Sequence, residues 1–143
     1  MNLIIYSLII ALLWGVSPIA NKRMLANIDT KIVFILNSIF YSGCVIIYTI
    51  YYWNSLKEEY VKLKMNDVFM LGVISVLLSF VPNFIYFYLL KNHDTSIVSA
   101  LVNSAPIFTI GVSYFLLNEK ITNRELFGIG LIMLGIIFIS VKN

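Results

Sequence analysis

The sequence predicts an all-α membrane protein with five transmembrane helices, and three observations carry that prediction. Hydrophobic residues make up 60% of the 143-residue chain and charged residues only 12%, for a mean hydropathy of +0.92. An ordinary soluble domain carries roughly a quarter of its residues as Asp, Glu, Lys and Arg, so this chain cannot cover a water-facing surface. The apolar residues gather into five runs, at 3–20, 32–53, 68–90, 97–117 and 126–141, each near the roughly 17–25 residues that cross a hydrocarbon core. Within each run the apolar character is continuous, whereas a membrane β-strand would alternate.

The first run lacks a positively charged leader and a convincing small-residue cleavage site, so it reads as a retained membrane segment. It carries Ser7, Trp14, Pro18 and Asn21. Asp29-Thr30 precedes the second run, which carries Asn37, Tyr41, Cys44, Tyr48 and Tyr51. Asn66-Asp67 precedes the third, with Ser75, Ser79, Pro82, Asn83 and Tyr86, and Asp94 precedes the fourth, with Ser96, Ser99, Asn103 and Pro106. These Asp, Asn and Thr residues have side-chain oxygens that cap free helix N–H groups. Thr122 to Glu125 fits the capping-box pattern before the fifth run. That run is the shortest, about 24 Å of helix at 1.5 Å per residue, which suits a thin bilayer. Its Gly128 and Gly135 share a face suited to close packing. The longest connector, 54–67, reads either as one or two turns on the membrane surface or as a solvated link. Tyr52, Trp53 and Tyr60 are expected as interfacial anchors, whereas Trp14 is too deep for that belt.

In each of the first four runs the polar residues recur at steps of about three, four or seven, so each set falls on one helical face. Uncompensated polar groups in hydrocarbon are costly, so these faces are expected to turn toward one another or toward a wet cavity. Two readings stand: Ser and Asn as packing glue between helices, or a polar path. Pro82 and Pro106 each remove a backbone hydrogen bond and free a carbonyl near mid-span, either shaping the bundle or serving as a hinge or as a source of ligand carbonyls. The candidate substrate-binding residues are Trp14, Pro18, Asn37, Tyr41, Ser79, Asn83, Tyr86, Ser99, Asn103 and Pro106.

Several function classes are excluded. The net charge is +3, but the ten Lys and Arg are scattered between apolar blocks, and none forms the basic run that tracks phosphates, so no nucleic-acid partner is expected. A single cysteine, Cys44, and a single histidine, His93, provide neither a disulfide framework nor a His or Cys metal cluster. No acid–base pair at membrane depth and no phosphate loop is present, so neither an enzyme nor a cofactor is expected. No titratable side chain lies well inside a run, which argues against proton coupling. With five spans, Lys57, Lys62, Lys64, Lys120 and Arg124 fall on one side, and Lys22, Arg23, Lys31, Lys91 and Lys142 on the other. The positive-inside rule needs an asymmetry, and five against five supplies none. Either finer details set one topology, or copies insert both ways and pair antiparallel.

Trp14-Gly15 followed by Pro18 and Lys22 resembles the opening of the EamA domain of the drug/metabolite transporter superfamily. The closing half is the stronger match: Ser99 to Val102, Pro106-Ile107, Phe115 to Thr122, then Phe127-Gly128 and Gly135. Asn83 to Leu90 followed by Ser96 to Ala100 also resembles that family's third-helix end and fourth-helix start. Asn118 stands where Gly is the commoner residue of the acidic turn. The resemblance covers essentially all of 1–143, as one five-helix EamA-type repeat.

That resemblance implies a solute carrier of the cell membrane, most relatives having two such repeats of opposite orientation with the substrate path between them. A single repeat then needs an antiparallel homodimer or a second five-helix repeat protein. The small multidrug-resistance relatives use a carboxylate in the first span, and its lack here argues against proton-driven drug export. The expected function is a transporter moving a small metabolite by facilitated diffusion or exchange through a path at a repeat or dimer interface. The alternatives are a lipid-headgroup translocase and a non-transporting membrane assembly subunit.

Overall fold

The computed structural model of the protein describes residues 2–140. Val141, the expected end of the fifth run, and Lys142 of the charge tally lie outside the described residues, as do Met1 and Asn143. The structure is 87% helix, and no strand occurs among the described residues. The helices are α1 (Leu3–Leu25), α2 (Thr30–Tyr51), α3 (Trp53–Lys62), α4 (Met65–Ser75), α5 (Val81–Asn92), α6 (Thr95–Val102), α7 (Ala105–Leu116) and α8 (Asn123–Ser140), with a π turn, Val76–Phe80, joining α4 to α5. Among the described residues four stretches are long and apolar enough to cross a membrane: Leu3–Leu25, Thr30–Tyr51, Met65–Asn92 and Thr95–Leu116. The 18-residue α8, Asn123–Ser140, holds residues 126–140 of the fifth run.

The helix ends follow local chemistry. Asp29 has the extended backbone of an N-cap residue and its Oδ1 accepts from the Lys31 N–H at 2.8 Å, starting α2 at Thr30. Asp67 is expected ahead of its helix but works inside it. Its Oδ2 accepts from the Lys64 N–H at 3.1 Å, so α4 begins at Met65. The first helix continues past residue 20 to Leu25, carrying Lys22 and Arg23 in its last turn, where positive charge suits the negative end of the helix dipole. At α8 the capping box forms. The Thr122 N–H and hydroxyl both donate to Glu125 Oε2, at 2.7 and 2.8 Å, and the Glu125 N–H returns a bond to Thr122 Oγ1 at 3.3 Å.

Two mid-span departures from α-helix both sit at prolines. The ring of Pro82 would collide with the Leu78 carbonyl four residues back. The turn just before it widens instead, and Val81 donates to the Val76 carbonyl five residues back. The fourth run is expected as one helix, but it is interrupted at Asn103-Ser104. There the Ser104 N–H turns back to the Leu101 carbonyl at 3.1 Å, and α7 restarts with Pro106 in its first turn, where a missing N–H costs nothing.

The chain divides into two compact units, Ala20–Asn92 and Met1–Ile19 with His93–Asn143. In the first, α2 packs on α5. The Phe34 ring is met edge-on by Phe80, Phe84 and Phe87, at centroid distances of 5.2, 5.5 and 5.9 Å. Steps of four and three put those three rings on one face. Leu25, Thr30, Val33, Phe87 and Leu90 are buried at the same end. Lysines tie that end together: Lys22 Nζ donates to the Leu90 carbonyl and, at 3.1 Å, to the Lys91 carbonyl, while Lys91 Nζ donates to the Ile28 carbonyl at 3.3 Å. In the second unit α6 and α7 both pack on α8.

Two expected outcomes follow. Charged hydrogen bonds contribute about 1.5–3 kcal/mol each, so Lys22→Met should destabilise the protein by about 2 kcal/mol. Amide exchange should rise in the last turn of α5 first, with Lys22→Arg recovering part of the loss; unchanged protection at Leu90 to Asn92 would contradict the clasp. The second concerns Glu125, which precedes the fifth apolar run. The Thr122 N–H and then its hydroxyl hold the Glu125 carboxyl below its ordinary 4.5. Because the folded value is the lower one, the stabilisation is full above pH 4.5 and is lost as pH falls through that lowered value. A carboxyl-carbon NMR titration should therefore place Glu125 below 4.5, and Thr122→Val should raise it.

Candidate functional site

Each candidate residue is placed by the unit that holds it. In Ala20–Asn92, Asn37 reaches across from α2 to the end of α1, its Nδ2 donating to Asn21 Oδ1 at 3.1 Å. That joins two of the polar stripes. Asn83 turns back on its own helix, its Nδ2 donating to the Ser79 carbonyl at 2.9 Å, beside the π turn. Tyr86 is half-buried, while Ser79, Asn83 and Asn37 are exposed. Tyr41 is 72% exposed, so no neighbour in the chain covers it. Ser79, Asn83 and Tyr86 follow the spacing of Phe80, Phe84 and Phe87, displaced by one residue. One residue is about 100° of rotation, so the third span packs with its aromatic face and leaves its polar face to the side.

In the second unit Trp14 is 75% exposed and Pro18 is buried within α1. Asn103 sits at the interruption between α6 and α7, with its backbone N–H on the Ser99 carbonyl at 3.0 Å and its side chain exposed. One turn earlier, Ser99 Oγ is enclosed and has no hydrogen-bond partner. Pro106, exposed, follows the interruption. An α-helix continued through this point would bring its ring against the Val102 carbonyl; the break removes the collision and leaves a short irregular backbone within an apolar stretch.

The acidic turn builds a feature that the polar stripes do not announce. Asn118 adopts φ 53°, in the left-handed region, which explains why glycine suits that position and why Asn is the tolerated replacement. The turn folds the chain back so that the Glu119 N–H reaches the Ser113 carbonyl at 3.4 Å. Ser113, Glu119, Lys120, Glu125 and Gly128 then line an open cleft of about 350 Å³ between the end of α7 and the start of α8. Gly128 and Gly135 meet nothing: a Cβ built at either has no heavy atom within 4 Å beyond its own helix. Their face is open.

The candidate residues offer amide and hydroxyl groups, some beside irregular backbone segments, and such groups suit hydrogen-bonding a polar solute. The family model of EamA-like transporters matches residues 1–141. An uncharacterized protein of Methanocaldococcus jannaschii is 26% identical over 140 residues, covering 98% of this chain and 97% of its own length. No solved structure matches the chain significantly. A match over nearly the whole sequence, on a helical chain with four membrane-crossing stretches, places this protein in the EamA-like transporter family of small-molecule membrane transporters, as a multi-pass integral membrane protein whose expected location is the cell membrane.

Proposed function

We propose that the chain is one wall of a solute path and moves a small metabolite by facilitated diffusion or exchange, with a second, oppositely oriented copy as the other wall. The single observation that carries this reading is the interruption at Asn103-Ser104. Irregular backbone at membrane depth is tolerated where it is buried in protein or lines a water-filled cavity, and broken helices are where transporters place their binding sites. The exposed Asn103 and the unpartnered Ser99 Oγ lie at that break. The π turn before Pro82, with Ser79 and Asn83, repeats the pattern in the third span.

Trp14, Pro18, Asn37, Tyr41, Ser79, Asn83, Tyr86, Ser99, Asn103 and Pro106 are the residues assigned to the path. Asn37 is the one whose bond to Asn21 also gives it a packing role. α8 is taken as a fifth crossing, its open Gly128 and Gly135 face being a contact for the second copy. Exposed amides and phenols at mid-span are costly in lipid, so the polar faces favour a partner with the same polar faces. A Lys and Arg tally of five against five removes the usual barrier to inserting both ways.

Asn103→Leu and Ser79→Leu should each reduce solute flux in proteoliposomes by tenfold or more, the protein remaining inserted and folded, whereas Phe40→Leu, on a 73% exposed apolar position, should leave flux unchanged. Normal flux in the Asn103 and Ser79 variants would make the stripes packing glue and refute the path. Insertion and fold are checked by detergent-solubilised yield and circular dichroism.

A further inference from the structure

The segment 54–67 has two sequence readings, and the structure gives it a definite form: α3, a helix of 10 residues running from Trp53 to Lys62. Only Tyr52 separates it from α2, and only Leu63 and Lys64 separate it from α4. Both neighbours belong to membrane-crossing stretches, Thr30–Tyr51 and Met65–Asn92. Each end of α3 is therefore held at the same membrane surface, and a helix of about 15 Å has no room to leave it. Its residues sort by face. Trp53, Leu56, Tyr60 and Leu63 recur at steps of three, four and three, with the Trp53 and Tyr60 rings 6.0 Å apart. Asn54, Glu58 and Lys62 lie on the opposite side, where Lys62 pairs with Glu59.

The apolar face is not covered by the protein. Trp53 is 52% exposed, Tyr60 49% and Leu63 44%, with Leu56 half-buried. Tyr52, at the junction, packs obliquely on Tyr48 at 4.6 Å and edge-on to Tyr51 at 4.8 Å, extending the aromatic surface onto the end of α2. Indole and phenol rings favour the headgroup layer, where one edge is apolar and the other wet. We infer that α3 is a membrane-surface helix, lying in the headgroup layer with Trp53, Leu56, Tyr60 and Leu63 turned into the bilayer, where it fixes the depth of the ends of α2 and α4. Charge contributes little to this placement. Over 54–67, Lys57, Lys62 and Lys64 are balanced by Glu58, Glu59 and Asp67, leaving no net charge, so the aromatic face and not anionic lipid sets the depth.

The test is a nitroxide scan of the full chain in phosphatidylcholine vesicles. Single cysteines are placed at residues 54 to 63 in a Cys44→Ser background, and collision rates are measured with oxygen, which concentrates in lipid, and with a water-soluble nickel chelate. Labels at 56, 60 and 63 should collide more with oxygen, and labels at 54, 58 and 62 more with nickel, a helical period of 3.6 residues. Adding phosphatidylglycerol should leave the pattern unchanged. Introducing Leu56→Glu should raise nickel collisions at 60 severalfold. Nickel access at every position would show a solvated connector and overturn the inference. Low access to both probes at 56 and 60 would mean a protein partner on this face and would equally overturn it. A pattern that arises only with phosphatidylglycerol would refute the aromatic face as its cause.

Discussion

Hydrocarbon offers a backbone N–H or C=O no hydrogen bond, and the architecture of this chain follows from that constraint. Long helices satisfy it along their length; the ends and the proline sites need separate solutions. At the ends, Asp29 and the Thr122–Glu125 pair take up free N–H groups, and Lys22 takes up the last carbonyls of α5. Lys22 does more than cap, because it stands on α1 and its acceptors are Leu90 and Lys91, so one side chain both closes a helix and ties two spans. At Pro82 and Pro106 the solution is a local change of backbone, wider before the first and broken before the second, whereas α1 continues through Pro18.

Packing obeys the same solvent. Lipid tails are as apolar as a leucine side chain, so helices gain nothing from merely hiding apolar surface and associate through close packing and hydrogen bonds. Phe34 in its fan of Phe80, Phe84 and Phe87 is the first kind of contact, and Asn37 with Asn21 is the second. Committing the Phe face of the third span to α2 turns Ser79, Asn83 and Tyr86 away from that contact. A polar stripe left aside in this way is tolerable at the headgroups and costly at mid-span, which is why the proposed path asks for a second wall.

Much of this is legible in the residues. Continuous apolar runs with little charge read as spans, four of which are long and apolar enough among the described residues to cross a membrane, and Asp29 and Thr122 with Glu125 declare their caps by residue type and spacing. Helix ends are less legible where charge misleads: Lys22 and Arg23 look like the outside of the membrane, yet α1 runs on to Leu25 because its last turn welcomes positive charge. Asp67 has the right chemistry at a position three residues inside the helix. The interruption at Asn103-Ser104 is half legible, since Pro106 marks the place but hydropathy is the same for a kink and a break. The phenylalanine face is hidden because phenylalanine serves lipid and protein contacts alike. For the candidate site, the polar stripes are visible one helix at a time, whereas the Asn21–Asn37 bond, the orphan Ser99 hydroxyl and the cleft by Glu119 are tertiary facts. The left-handed Asn118 is foreshadowed by the glycine usual in that turn.

If one chain is half of a path completed by an inverted copy, the protein must insert in both orientations. Two reporters, one active only in the cytoplasm and one active only outside it, are fused in separate proteins after Asn143. Both should be active at comparable levels, as two populations of opposite orientation require. Activity of one reporter alone would mean a single orientation and would contradict the antiparallel pair.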